Sequence, residues 1–428
     1  MWRLVFLGRL FALSLHGPAA ADQIREYQHR NNVANPLGEG LAAYLRGDYA
    51  TAIRLLRPLA ADQGMALAQF SLGVMYANGR GVPQDYSQAA MWYRRAADQG
   101  DDEAQGHLGA MYAKGQGVPQ DYAQAVNWYR KAADQGNADA QANLGWMYAK
   151  GVGTPQDYAQ ALNWTRKAAD QGNADAQVNL GMAYINGDGV ERDSAEAAKW
   201  LRKAADGGSP IAQQKLGQLY ENGQGVPQDY RQAASWFVRA AKQGNPDAQT
   251  SLGWMYAEGH GVPQDLAQAL AWFRKGADQG NAEAQYNLGE MYAKGLGVPQ
   301  NFAQAFSWFG KAADQGNAVA EATLGWWYAD GQEEVVSQDF ARAFSWFAKA
   351  ADQGNAFAQA NLGVLYADGQ GVPQDYTQAL MWSTLAITRA EDDATRELAA
   401  NVRDALAGKM TPSQIAEAQR MAREWSPK

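Results

Sequence analysis

The sequence predicts an all-α protein, an α/α solenoid of 36-residue two-helix repeats. The tetrapeptide ADQG, or a close variant, recurs nine times at a spacing of 36 residues, with one interval of 38. A tryptophan and an L-G-x-x-Y motif recur in the same phase. Alanine and glutamine, which suit helices, are abundant, whereas valine, isoleucine and threonine, which suit strands, are scarce.

Each repeat divides into two helices, as the third repeat, Asn137–Gly172, shows. Asn137 is expected to cap the first helix, and Gly151 to end it in the left-handed conformation. Asp157 is expected to cap the second helix, with Gln160 completing a capping box three residues later. The same logic places a C-terminal helix after Thr411, again with a capping box.

A glycine lies in the middle of every first helix, for example Gly145. A glycine there costs about 1 kcal/mol relative to alanine. Its presence in all nine repeats therefore predicts that the second helix crosses at this point too closely for a side chain. Leu144 and Tyr148 are expected to flank the crossing.

Five segments follow from the repeat pattern and its ends. They are a signal peptide (1–21), a lead segment (22–37), an N-terminal capping hairpin (38–64), nine repeats (65–390) and C-terminal capping helices (391–428). Stacked repeats bury the apolar faces that one hairpin leaves open, and the end segments cover the two terminal faces.

The N-terminus has the order of a secretory signal: Arg3, an apolar stretch over 4–15, and Ala19–Ala21 before Asp22. The stretch is too short to span a bilayer. A removed signal places the mature protein in the periplasm or outside the cell. The alternative is an inert tail or a misassigned start, in which case the protein is cytoplasmic.

Composition and motifs exclude several function classes. A net charge of −8 and an isoelectric point of about 5.2, without any basic run, disfavour nucleic-acid binding. The absence of cysteine removes disulfides and thiol chemistry. Common hydrolase and metalloprotease motifs are absent, so we expect no enzyme, no catalytic residue and no cofactor. The histidines are too scattered for a shared metal site; they are His16, His29, His107 and His260.

Variation between repeats marks a candidate binding surface. Counting from the cap residue of the first helix, positions 3, 6, 7, 10 and 14 vary and draw one stripe along one helix face. Tryptophan occupies position 10 three times where the framework does not demand it. The alternative is that each of these rings fills a local gap between helices. The candidate partner-binding residues, on the expected concave face, are Phe70, Trp146, Met182, Trp254, Tyr286 and Trp326.

The recurring pattern LGxMYAxGxGVPQDYxQAxxWYRKAADQG resembles the Sel-one-like repeat family, relatives of the tetratricopeptide repeats. The resemblance covers Gly38 to about Ala390. It implies a right-handed superhelix and a role as an adaptor that assembles complexes, often at the bacterial envelope. Some cysteine-rich relatives resemble β-lactamases or bind penicillin, but this chain lacks their disulfides, so that activity does not transfer.

The leading hypothesis is therefore a monomeric adaptor that holds a protein or peptide partner on the concave face of the first helices. The alternative is a protein that binds a glycan or a peptidoglycan fragment, with tryptophan and tyrosine rings stacked on sugars. Neither requires a nucleic acid, a metal or a stable membrane span.

Overall fold

The computed structural model describes residues 36–332 and 335–427. This part of the chain consists of helices joined by loops, and its only β structure is one isolated bridge between Gln332 and Val336. The expected signal peptide and most of the lead segment lie outside the described residues. Twenty-two helices are described, two to each repeat with a pair at either end. They are α1 Pro36–Leu45, α2 Tyr49–Ala61, α3 Ala66–Asn78, α4 Tyr86–Asp98, α5 Asp102–Lys114, α6 Tyr122–Asp134, α7 Ala138–Lys150, α8 Tyr158–Asp170, α9 Ala174–Asn186, α10 Ser194–Asp206, α11 Pro210–Asn222, α12 Tyr230–Lys242, α13 Pro246–Glu258, α14 Leu266–Asp278, α15 Ala282–Lys294, α16 Phe302–Asp314, α17 Ala318–Asp330, α18 Phe340–Asp352, α19 Ala356–Asp368, α20 Tyr376–Arg389, α21 Asp393–Leu406 and α22 Pro412–Glu424.

These helices form two compact units. The first unit comprises the described residues up to Ala212 together with Gln224–Val226. The second comprises Gln213–Gly223 together with the described residues from Pro227 onward. Repeats one to four lie in the first unit and repeats six to nine in the second, and each unit is described by itself below.

The helix ends of repeat three confirm the predicted caps. Asn137 accepts a hydrogen bond from the Ala140 amide (2.9 Å), and Asp157 accepts one from the Gln160 amide (2.9 Å). Gly151 ends α7 with a φ of 66°, in the left-handed region. The predicted capping box at Asp157 is wrong, because the Asp157 amide donates to the Tyr148 carbonyl (3.0 Å) and is not left for Gln160.

The mid-helix glycines confirm the predicted close crossing. A Cβ built on Gly145 would lie 2.5 Å from Thr165 Oγ1, and one on Gly253 would lie 2.6 Å from the Phe273 ring. The same pairing, between position 9 of the first helix and position 29 of the second, recurs in all nine repeats. Any side chain at position 9 would push the two helices apart, so the spacing of each hairpin depends on glycine.

The recurring tryptophan at position 28 belongs to the framework. Trp164 is only 8 % exposed. A lysine or arginine three residues later stacks its charge on the ring, as Lys167 Nζ does 4.0 Å from the Trp164 centroid. Equivalent pairs occur in eight repeats, at Trp92, Trp128, Trp164, Trp200, Trp236, Trp272, Trp308 and Trp346. This chain therefore covers its tryptophan faces with cations as a rule.

A relay of glutamine amides joins neighbouring repeats. Gln135 Nε2 donates to Gln105 Oε1 (2.8 Å), and Gln105 Nε2 donates to the Ala97 carbonyl of the preceding repeat (3.0 Å). The step from position 35 to position 5 recurs in six repeats, and repeat eight substitutes Gln353 and Glu321 (2.7 Å). In repeat four, Gly207 stands where the donor glutamine would be.

Both ends of the array carry additional helix pairs. Asp48 caps α2 by accepting from the Thr51 amide (3.1 Å). At the C-terminal end, Thr411 and Gln414 form the complete capping box that the sequence predicts. Trp425, just after α22, packs edge-on against Trp382 at 6.2 Å between ring centroids. These helices cover apolar surface that would otherwise be exposed on the terminal repeats.

Candidate partner-binding surface

The framework decides which positions of a first helix can face outward. Leu144 and Gly145, at positions 8 and 9, are buried against the second helix, as are their equivalents in the other repeats. Positions 3, 7, 10 and 14 lie three or four residues apart and so share the opposite face. We call positions 3, 7, 10 and 14 of the first helices the outward stripe. The sequence also assigned position 6 to this face, but that position is buried in seven of the nine repeats, and Tyr286 is one of the two exceptions.

In the first unit, Phe70 lies in the core and not on the surface. It is 6 % exposed, and its ring lies 5.8 Å from Tyr93 and 5.5 Å from His107. The ring of His107 in the next repeat covers Phe70 and stacks on Tyr93 at 5.0 Å. Phe70 therefore offers a partner almost no surface.

Trp146 and Met182 in the same unit are half-buried. Trp146 lines a pocket of about 250 Å³ between repeats three and four, with Leu162, Thr165 and Ala183 among the other walls. The cause is Thr165: at this position six of the nine repeats carry a phenylalanine or tyrosine ring. The smaller side chain leaves room that the indole edge borders. Sequence reasoning missed the pocket, although a threonine among rings was its signal.

In the second unit, two tryptophans of the outward stripe are exposed. Trp254 is 41 % exposed and Trp326 is 43 % exposed, against 8 % for the framework Trp164. Trp254 stands edge-on to Phe273, with ring centroids 5.7 Å apart and an interplanar angle of 84°. Both tryptophans occupy position 10, in repeats six and eight. No lysine or arginine of the described residues stacks on either ring.

Tyr286 links the first helices of repeats seven and eight. Its ring lies 5.5 Å from Phe309, and its hydroxyl donates to Glu290 and contacts Thr323 of the next repeat. Burial, reinforced by the negative charge of Glu290, raises the pKa of Tyr286 to about 12. Its hydroxyl is therefore protonated at neutral pH. Glu290 also pairs with Lys294 one turn later.

Further residues of the second unit add to this stripe without having been singled out in the sequence. Val319 and Phe357 are 47 % and 36 % exposed at position 3, where repeats two, three, four, six and seven carry an acid. That exchange of acid for apolar residue was a readable signal. Glu258, Asp330 and Asp368 end three of the first helices and form no ion pair with any described residue.

Repeat two of the first unit holds two perturbed ionisable groups. Burial, with the nearby charges of Asp102, Asp139 and Asp101, raises the pKa of Glu103 to about 7. Burial lowers the pKa of His107 to about 4, and its Nε2 is enclosed without a hydrogen-bond partner in the described structure. The two groups shift in opposite directions although they lie one turn apart on α5.

Two kinds of feature are absent from residues 36–332 and 335–427: a metal-ion cluster and a membrane-spanning helix. No cluster of three histidine, cysteine, aspartate or glutamate side chains in these ranges is placed to hold a metal ion. None of the helices described there combines the length and the apolar character that crossing a bilayer requires.

Comparison with known proteins agrees with this architecture. The Sel1 repeat model matches nine consecutive segments: residues 66–101, 102–137, 138–173, 174–209, 210–245, 246–281, 282–317, 318–355 and 356–390. A search of curated proteins finds no match.

Two solved structures are similar over most of their length. One is c5321, a protective antigen of uropathogenic Escherichia coli strains with an SLR fold, at 36 % identity over 94 % of both chains and a TM-score of 0.63. The other is a Sel1 repeat protein from Oxalobacter formigenes, at 36 % identity over 73 % of this chain and 89 % of that one, with a TM-score of 0.55. With nine matched repeats and a solenoid of paired helices, the chain belongs to the Sel1 repeat family.

Proposed function

We propose that this protein is an interaction scaffold that holds a protein or peptide partner on the outward stripe of its second unit. Sel1-repeat solenoids commonly serve as interaction scaffolds and are generally not enzymes. The observation that carries the proposal is the exposure of Trp254 and Trp326 in a chain that buries or half-buries its framework tryptophans.

Exposed indoles favour this proposal because a large apolar ring left in water forgoes the free energy that its burial would contribute. Burying a large apolar side chain contributes about 1.5–3 kcal/mol, and tryptophan is among the residues most enriched at binding hot spots. Trp254 and Trp326 stand at the same repeat position with one repeat between them, so an extended partner meets both. Tyr286 supplies a rigid, polar-tipped ring in the intervening repeat.

The first unit supplies its own contact surface. Trp146 borders the pocket of about 250 Å³ above Thr165, and Met182 lies on the next first helix. An aliphatic side chain of a partner fits this volume. Phe70 plays no part, because it is enclosed by Tyr93 and His107.

We also propose that the scaffold acts in the periplasm or outside the cell. The support is the order of charged, apolar and small residues that ends at Ala21. N-terminal sequencing of native protein should find Asp22 first, and retention of Met1 would refute this location.

The test of the scaffold is capture of partners from an envelope extract by the full chain. The Trp254→Ala/Trp326→Ala variant should keep its helical circular dichroism and lose the captured proteins. Leu296→Ser is the matched control, because Leu296 is 39 % exposed but lies in a loop outside the stripe. If the double variant retains every protein that the native chain captures, the stripe is not the binding surface. Displacement by a glycan would instead favour a sugar ligand.

A further inference from the structure

The first helices of repeats six to nine are strongly acidic, whereas the second helices of the same repeats are basic. α13, α15, α17 and α19 carry seven acidic residues and one lysine. α14, α16, α18 and α20 carry six basic residues and three acidic ones. The outward stripe of the second unit therefore presents negative charge beside its exposed rings.

Three of these acids stand where a helix disfavours them. Glu258, Asp330 and Asp368 are the last residues of α13, α17 and α19, at the negative end of the helix dipole. No ion pair within the described chain offsets their charge. In the first unit, position 14 is neutral or cationic in every repeat, as Asn78, Lys114, Lys150 and Asn186. The fold itself thus gains nothing from acids at this position.

Each exposed tryptophan has such an acid one turn away. Glu258 follows Trp254 by four residues, and Asp330 follows Trp326 by four, which makes the side chains neighbours on the helix surface. Repeat seven shows that side chains at these two positions meet, because Glu290 and Lys294 occupy them and form an ion pair. A cation placed at position 10 or 14 of repeats six and eight would therefore reach a carboxylate and an indole face together.

The framework shows how this chain treats an indole face. Lysine Nζ atoms lie 3.7 Å from Trp308 and 3.8 Å from Trp128, measured to the ring centroids. Trp254 and Trp326 lack such a cation among the described residues, yet each has an unpaired carboxylate nearby. A desolvated cation over an aromatic face is attracted by the ring quadrupole, and the carboxylate adds direct charge pairing.

We propose that Trp254 with Glu258, and Trp326 with Asp330, form two equivalent receptors for lysine or arginine side chains, so that the partner of the second unit is a basic peptide segment. This inference rests on the proposed scaffold function and adds the chemistry of the partner. The ion pair of Glu290 and Lys294 lies between the two receptors and spaces them by one repeat. A partner with cationic side chains at matching intervals fills both.

The probe is a fluorescein-labelled peptide of alternating lysine and alanine, titrated with the full chain and followed by fluorescence anisotropy. Trp254→Ala/Trp326→Ala and Glu258→Gln/Asp330→Asn should each weaken binding about ten-fold or more, in line with loss of one or two cation contacts. Asp278→Asn/Asp314→Asn is the matched control. It removes the same two charges from exposed ends of second helices and should leave binding within about two-fold. Rising salt should weaken binding of the native chain.

The inference is overturned if a glutamate–alanine or glutamine–alanine peptide binds as well as the lysine peptide, or if the control pair weakens binding as much as Glu258→Gln/Asp330→Asn. Charge reversal separates it from the scaffold proposal in the capture experiment. Glu258→Lys/Asp330→Lys copies the order of Trp146 and Lys150 and should lose the partners. If this variant keeps them while Trp254→Ala/Trp326→Ala loses them, the scaffold stands and the basic partner is refuted. If both variants keep them, the scaffold surface itself is refuted.

Discussion

Repeat three of the first unit and repeat six of the second have the same helical-hairpin architecture but present different surfaces. Both carry tryptophan at position 10, yet Trp254 is exposed whereas Trp146 is half-buried along a pocket. The difference lies at position 29 of the second helix. Phe273 fills the space beneath Trp254 and meets it edge-on, whereas Thr165 leaves that space open beside Trp146. In these two repeats, the exposure of the ring at position 10 of the first helix thus follows the size of the residue at position 29 of the second.

The largest expected effect is a difference in the free energy of unfolding between variants of the framework tryptophans and variants of the stripe tryptophans. Trp164→Ala removes a buried ring and the contact that Lys167 makes with it, so the free energy of unfolding should fall by about 3–5 kcal/mol. Trp254→Ala should lower it by less than about 1 kcal/mol, since the ring is largely in water. Urea unfolding of the two variants measures this, and equal losses would show that the division between framework and stripe is mistaken.

The second largest effect is expected when the residues at position 29 of repeats three and six are exchanged. Phe273→Thr should destabilise the protein by about 3 kcal/mol through the cavity it opens, and Trp254 should become less accessible to acrylamide quenching. Thr165→Phe should fill the pocket and raise stability by about 0.5–2 kcal/mol, with Trp146 becoming more accessible. Unchanged quenching in both variants would mean that position 29 does not govern exposure.

This dependence explains how far the sequence could lead. The helices, caps and close crossing were predictable because their signals are local or repeat in a fixed register, as with Asn137 and Gly145. The exposure of position 10 was not, because it depends on a side chain nineteen residues later across the hairpin. Phe70 illustrates the same limit: it belongs to the stripe that the sequence predicts, but Tyr93 and His107 cover it. The failed capping box at Asp157 came from a backbone bond to the previous helix.

A third effect concerns pH and belongs to the first unit. The pKa of His107 is lowered from 6.5 to about 4, so its stability contribution is complete above pH 6.5 and is lost as pH falls toward 4. The pKa of Glu103 is raised from 4.5 to about 7, so its contribution is complete below pH 4.5 and is lost as pH rises through 7. Between about pH 4.5 and 6.5 the two trends oppose each other.

Single variants should expose these opposing trends. Glu103→Gln should leave a protein whose thermal midpoint falls as pH drops from 6.5 to 4.5, more steeply than in the native chain. His107→Asn should reverse the slope, so that acid stabilises the protein. Asn287 already occupies the equivalent position in the second unit. Parallel pH profiles for the native chain and both variants would contradict the assignment.

The smallest effect concerns the charge at position 14. Glu258→Lys places a cation at the negative end of α13 and should raise stability by about 0.3–1 kcal/mol. Lys150→Glu in the first unit should lower it by a similar amount. Both changes should shrink at high salt, which screens exposed charges. Opposite signs in chemical denaturation at low salt would show that these acids already have a structural partner.

The glutamine relay couples neighbouring repeats, and its donor at position 35 is missing in repeats four and nine, where Gly207 and Arg389 stand. Where Gln135 holds Gln105 and Gln105 holds the preceding repeat, opening one hairpin strands a buried amide in its neighbour. Fraying is therefore confined to the ends of such a run, and its members open together. Repeat four weakens the run, because Gly207 has no amide side chain to donate to Gln177, although Gln177 Nε2 still donates to the Ala169 carbonyl of repeat three (3.1 Å). We expect local opening to start at this repeat, so that cooperative unfolding in the first unit spans repeats one to three as a block.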